Sequence, residues 1–249
     1  MKIVTIANQK GGVGKSTICC HLGWAAKEQG MRVLVIDMDG QMNTTKTLTS
    51  NPLGLTSSQL FKGSTLDPVT TEEGIGLIGA DISTNDVESL PFETILSPEK
   101  IIKKFSADYD LCIIDTPPNL GRRLLASLIA SDCVFTPLEL SQYSLDGVGS
   151  LMETILTVKK KFNKKLVNLG LLPNLVNSRS KSQKETLEEL QEQLKGMVLP
   201  FHMNNRVAVQ DAIKAKKPVW KHGKGSSGVK AGAEMKLVVN EILSRVENI

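Results

Sequence analysis

Aromatic residues are scarce in this chain. Two Trp, two Tyr and six Phe make up 4% of its 249 residues, too few for the base-stacking platform of a single-strand binder. Histidine is scarcer still, with only His21, His202 and His222. The four cysteines, Cys19, Cys20, Cys112 and Cys133, form no C-x-x-C pair. That spacing argues against a zinc site or a dithiol motif, and Cys112, inside an apolar run, reads as a small buried hydrophobe. No run reaches the roughly 18 apolar residues of a membrane span, and "MKIVTIANQ" holds no stretch long enough for a signal peptide. A soluble, cytoplasmic protein is expected.

Acidic residues are thin in the last part of the chain. Residues 1–158 hold 12 Lys/Arg against 18 Asp/Glu, net −6, whereas residues 159–249 hold 18 against 8, net +10. Such an asymmetry fits a surface for a polyanion, either nucleic acid or an anionic membrane, and equally a lysine-rich solvated face. A hydrophobic share of 41% and a charged share of 22% are ordinary for a globular protein. The length suffices for one sizeable core, and a single domain over 1–249 is expected.

Short apolar runs alternate with helical patterns. Strands are expected at "KIVTIA" (2–7), "RVLVID" (32–37), "GIGLIGA" (74–80), "DLCIIDT" (110–116), "CVFTPL" (133–138) and "LVNLGLLPN" (166–174). Helices are expected near 16–29, 92–105, 120–131, 144–162 and 182–195. This order predicts an α/β fold, a mainly parallel twisted sheet with helices on both faces. The segment "HGKGSSGVKAG" (222–232) reads as a loop before a last helix over 229–247. There Met235, Val238, Val239, Ile242, Leu243 and Val246 share one stripe, opposite Lys236, Asn240, Glu241 and Glu247. The mixed charges favour packing on the sheet over lying on a membrane.

The chemistry sits at the ends of three strands. "NQKGGVGKST" (8–17) joins the first strand to the first helix. Gly11, Gly12 and Gly14 let the backbone turn its N–H groups inward, and the helix adds its positive N-terminal end. Val13 lies within the same loop, Lys15 is placed to reach the β- and γ-phosphates, and Ser16 to ligate Mg²⁺. Thr17 is placed for the α-phosphate. "VIDMDGQMN" puts Asp37 and Asp39 at the carboxyl end of the second strand, the edge where ligands bind. Asp115 in "CIIDTPP" has the form of a carboxylate that holds Mg²⁺ through its waters, and Pro117-Pro118 fix the backbone beyond it. ATP and Mg²⁺ are the expected cofactors.

These motifs resemble the ParA/MinD family of deviant Walker A P-loop ATPases. "KGGVGKST" matches the family's first motif, "VIDMDGQMN" its second and "YDLCIIDTPP" its Walker B segment. "ASDCVFTPLELSQYSLDGV" (130–148) and "LPFHMNNRVAVQDAIKAKKPV" near the end are also similar, so the likeness spans nearly the whole chain. The resemblance implies that Lys10 crosses an ATP-sandwich dimer to the partner's phosphates, that Asp39 positions the attacking water and that Asp37 supports the metal's hydration shell. It also implies that Asn174 contacts the base, with Asn177 as an alternative, and that backbone near Pro200 closes the pocket. The sequence departs from the family at Gly40, commonly proline, and at Met42, commonly glycine. Gly40 is expected to loosen the loop, while Asp39, Gln41 and Asn43 remain and hydrolysis is expected to survive.

What such a dimer acts on is open to two readings. In the first, the ATP-bound homodimer binds nonspecific double-stranded DNA over the nucleoid, and a ParB-like centromere-binding protein stimulates its weak hydrolysis. The second is a MinD-like or other positioning switch at a membrane or on a protein cargo. The ending "EILSRVENI" lacks a basic anchor, so no stable membrane association is expected. Arg179, Lys181, Lys184, Lys214, Lys216, Lys217, Lys221, Lys224 and Lys230 are the candidate phosphate contacts. Because the first strand opens the chain, an N-terminal helix-turn-helix, with specific operator binding and autorepression, is not expected. Cys112 and Cys133 lie in strand patterns, unlike the cluster-bridging cysteines of nitrogenase iron-protein reductases.

Overall fold

A computed structural model describes residues 1–51, 53–140 and 144–249. Its elements run β1 (Lys2–Ile6), α1 (Lys15–Glu28), β2 (Val33–Asp37), α2 (Asn43–Leu48), α3 (Gln59–Lys62), β3 (Val69–Thr70) and β4 (Gly76–Ile78). After a 3₁₀ helix (Ile82–Ser89) come α4 (Ser97–Ile102), β5 (Leu111–Asp115), α5 (Arg122–Ala130), β6 (Cys133–Glu139), α6 (Ser144–Lys161) and β7 (Val167–Asn174). The chain continues through α7 (Lys181–Gln193), α8 (Val207–Lys214), α9 (Val219–His222) and α10 (Gly225–Glu247). Ser141, Gln142 and Tyr143 of the family-like segment 130–148 lie outside the described residues.

Among the described residues seven strands form one sheet in the order β3-β4-β2-β5-β1-β6-β7. All neighbours are parallel except the short β3–β4 pair. The central strands are apolar along their length because both faces are covered. Alternation assigns each residue its side. Val33, Val35 and Ile113 join Ile18, Leu22 and the α10 stripe in one core, and Leu34, Ile36 and Ile114 join Ile101, Leu124 and Leu128 in the other. The α10 residues Met235, Val238, Val239, Ile242, Leu243 and Val246 are all buried. No helix among the described residues is long and apolar enough to cross a membrane.

Short elements such as α2, α3, β3, α8 and α9 have no counterpart in the expectation, and two expected segments fold differently. The helix over 92–105 is broken into a 3₁₀ turn (Phe92–Leu96), α4 and a second 3₁₀ turn (Lys103–Phe105). Pro98 explains the first break, since it has no N–H to donate and favours a helix start. The loop expected at 222–232 is helical from Gly225 onward, because its glycines serve close packing. A Cβ on Gly228 would lie 2.5 Å from the carbonyl carbon of Gly223, and one on Gly232 would lie 3.0 Å from Cα of Trp220.

Candidate active site

The sheet brings the three motifs side by side. β5 lies between β2 and β1, with Asp115 in register with both Asp37 and Ile6. The loop after β1 therefore passes directly over the two carboxylates. Its turn requires left-handed backbone at Gly12 (φ 76°) and Gly14 (φ 91°), which glycine adopts without a Cβ clash. Gly14 is needed for space as well, since a Cβ there would lie 2.5 Å from Nδ2 of Asn174. Asn174 Nδ2 donates to the Val13 carbonyl at 2.8 Å, fixing the end of β7 against the loop.

Lys15 is buried, and its Nζ donates to the Lys10 carbonyl at 3.0 Å. Burial lowers its pKa, opposed by the nearby charges of Asp115 and Asp39. Asp37 and Asp115 are both fully buried. Burial raises both carboxyls above the ordinary range, and the charge of Asp115 raises Asp37 further. Their hydrogen bonds separate their roles. Asp37 Oδ1 accepts from the Asp39 N–H (3.0 Å), and its Oδ2 accepts from the N–H (2.8 Å) and hydroxyl (2.7 Å) of Thr45. Asp115 Oδ2 accepts from the Thr44 hydroxyl at 2.7 Å, and the side chains of Ser16 and Thr44 oppose the rise of its pKa. Oδ1 of Asp115 is buried with no partner among the described residues.

That unsatisfied oxygen, at the carboxyl end of β5, fits a hard cation that keeps several of its waters, as Mg²⁺ does. Asp37 fits it less well, because both its oxygens already bind the segment from Asp39 to Thr45. The sequence reading missed Thr44 and Thr45. A threonine pair seven and eight residues past the strand-end Asp37 was the available signal.

Two adjoining cavities of about 370 Å³ each meet at this loop. One is lined by Gly11, Lys15, Ser16, Thr17, Asp39 and Asn43, the polar groups a polyphosphate requires. The other runs from Gly12, Gly14 and Ile18 to Asn174, Met203, Val209 and Met235, an apolar recess suited to a base. Pro200 does not line it. Asn204, Asn205 and Arg206 do, together with Gln210, Ile213 and Lys214 of α8, because the chain reaches the rim only after its backbone pairs with Pro173 and Val176. The α8 residues were legible in principle, since Val209, Ala212 and Ile213 have helical spacing. Asn177 faces a neighbouring polar cavity with Arg179, bounded by the same Asn204, Asn205 and Arg206.

Asp39 and Gln41 line the phosphate side. Met42 holds a left-handed backbone (φ 60°, ψ 30°), so the conformation glycine would favour survives its replacement. Gly40 sits in a confined place. The Asn85 side chain occupies the space a Cβ would take, at 2.3 Å. Lys10 lies at the outer lip, its Nζ 2.6 Å from Oε2 of Glu139 at the end of β6.

The candidate phosphate contacts are dispersed. Lys214 lines the nucleotide cavity. Lys216 Nζ donates to Ser50 Oγ (2.7 Å), Lys221 pairs with Glu28 (2.7 Å) and Lys181 with Glu185 (3.6 Å). Lys184, Lys217, Lys224 and Lys230 are exposed. All four cysteines are buried and their thiols are pushed up by that burial, so they are inert structural groups.

A model of the AAA domain matches residues 1–168. Protein IncC of Escherichia coli is 32% identical over 253 residues, covering 99% of this chain and 70% of its own. The chromosome-partitioning ATPase Soj of Thermus thermophilus is 28% identical over 250 residues, covering 98% and 96%. The chain belongs to the ParA/MinD family. This ParA-type chain also superposes on a cobyrinic acid a,c-diamide synthase from Mycobacterium smegmatis, solved with an ATP analogue and magnesium. That match has a TM-score of 0.76 and 31% identity, over 90% of this chain and 97% of that one. The ParA-type ATPase therefore has an α/β P-loop fold and binds and hydrolyses ATP.

Proposed function

We propose that this ParA-type ATPase drives DNA segregation through an ATP-bound dimer that holds duplex DNA of any sequence and is released when a ParB-like centromere-binding partner stimulates hydrolysis. One observation carries the reading. Lys214 of the basic C-terminal segment lines the same cavity as Gly12, Gly14 and Ile18. Nucleotide occupancy thus acts directly on the helix that leads into the cationic stretch from Lys214 to Lys230. A membrane role has less support, since the apolar stripe of α10 is buried in the core.

In this reading Lys15 neutralises the phosphates from within its loop, and Asp39 orients the attacking water. Ser16 and Asp115 would hold magnesium, which when bound offsets charge on the phosphates. Lys10 leaves Glu139 and reaches the phosphates of the second subunit, as an arginine finger does. The test is binding to random-sequence duplex and to anionic vesicles, each with ATP, ADP or no nucleotide, at two salt concentrations. ATP-dependent, salt-sensitive duplex binding is expected. Binding to vesicles alone, or to neither, would overturn it.

A further inference from the structure

The loop carrying Asp39 is held from a side the phosphate loop does not reach. Arg123, in the first turn of α5, is 4% exposed. Its Nη1 donates to the Met38 carbonyl and to Asn85 Oδ1, both at 3.1 Å, and its Nε donates to Glu88 Oε1 at 2.9 Å. Asn85 and Glu88 are three residues apart in the 3₁₀ helix Ile82–Ser89, a spacing that places them on one face. Glu88 is itself anchored, since its Oε2 accepts from the Arg122 N–H at 2.7 Å and its carbonyl from the Arg122 side chain. That carboxylate also caps the N-terminus of α5, where negative charge is favoured.

Asn85 has a second contact. Gly40 lies outside the left-handed region, so backbone strain does not demand glycine there. Space does, because a Cβ would meet Oδ1, Cγ and Nδ2 of Asn85 at 2.3 to 2.6 Å. Asn85 could move aside only by giving up its bond to Arg123. The residue before Asp39 is thus held through its carbonyl by Arg123, and the residue after it is packed under Asn85. A buried guanidinium is costly unless its donors are met. Here Nη1 and Nε serve the loop carrying Asp39 and the two residues that hold it.

We infer that Arg123, Asn85 and Glu88 form a clamp that sets the position of Asp39 over the phosphate cavity, making them positioning residues for hydrolysis. The clamp rests on the reading of Asp39 as the residue that orients the attacking water. It assigns Gly40 a purpose: it admits the clamp.

Steady-state ATP turnover with Mg²⁺, alongside thermal unfolding, tests this in Asn85→Ala, Arg123→Lys, Gly40→Ala and the double variant Gly40→Ala/Asn85→Ala. Misplacing a catalytic group by about 1 Å costs on the order of a hundredfold in rate. Each single variant is therefore expected to lower kcat by roughly tenfold to a hundredfold, with KM for ATP changed less than about twofold. The double variant should be no slower than Asn85→Ala alone, because the new Cβ then has room. A purely structural role would move the unfolding midpoint without this kcat-only loss or the non-additivity. The clamp is overturned if the single variants keep kcat within about twofold of the parent, or if the losses in the double variant multiply. Asp39→Ala separates the two ideas. Lost turnover there with intact turnover in the clamp variants refutes the clamp alone, and full turnover in Asp39→Ala refutes the reading beneath it.

Discussion

Lys10 and Glu139 meet at 2.6 Å with side chains 46% and 36% exposed. Ion pairs so open to water contribute about 0–1 kcal/mol, so stability does not explain a lysine at the lip of a phosphate loop. Lys10→Ala should change unfolding free energy by less than about 1 kcal/mol. It should lower ATP turnover by on the order of a hundredfold, as loss of a transition-state charge does, and abolish the proposed ATP-dependent dimer, with sedimentation as the measurement. Turnover and dimerisation equal to the parent would remove the trans role. Lys15 could be picked out in the sequence because phosphate chemistry asks for a lysine at that fixed place in the loop, whereas Lys10 and Asp39 take their roles from the family resemblance. Arg123 could not be picked out, since its partners Asn85 and Met38 lie 38 and 85 residues away. Nothing local marks a surface-type residue as buried.

At the scale of elements, the strands were legible because an apolar run between turn residues has few other uses in an alternating chain. The start of α10 was not, because glycine reads as flexibility when its purpose is close approach. Gly228→Ala tests which effect dominates. Helix propensity alone favours alanine by about 1 kcal/mol, but the new methyl would sit 2.5 Å from the Gly223 backbone, and overpacking costs about 1–3 kcal/mol. Net destabilisation by about 1–2 kcal/mol is expected in denaturant unfolding, and stabilisation would show that the contact is loose. His21 links two other elements. Its Nδ1 bonds the Thr17 carbonyl at 2.7 Å in α1, and its Nε2 accepts the Val219 N–H of α9 at 3.1 Å. Trp24 and Trp220 pack edge-on against the ring, and Glu28, Lys221 and Lys236 gather around Trp220. Burial pushes His21 down to about 4. The folded state thus binds this proton less readily than the unfolded chain. Its stability contribution is whole above about pH 6.5 and is lost as pH falls toward 4. Roughly 3 kcal/mol is at stake over that window. Unfolding midpoints followed from pH 7 to 4 should fall more steeply for the parent than for His21→Gln, and parallel profiles would contradict the assignment.

Across the whole molecule, charge is divided along the chain, net −6 over residues 1–158 and +10 over 159–249. The fold does not keep these halves apart. Lys221 and Lys216 are drawn to Glu28 and Ser50 of the acidic part, and within the basic part Lys181 lies 3.6 Å from Glu185. The cations that remain available are fewer than the sequence count implies. Lys217, Lys224 and Lys230 are exposed, and none has an acidic partner within 4 Å among the described residues. If these three neutralise phosphates, each adds about 0.9 to the slope of log affinity against log salt. Lys217→Ala/Lys224→Ala should therefore flatten that slope by roughly 2, measured on random-sequence duplex with ATP. The loss should be equal across sequences, because phosphate contacts carry no base information. Lys181→Ala and Lys221→Ala, whose charges are already partnered, should change the slope by less than about half as much. A slope unmoved by the first pair, or moved equally by the second, would place the DNA surface elsewhere on the molecule.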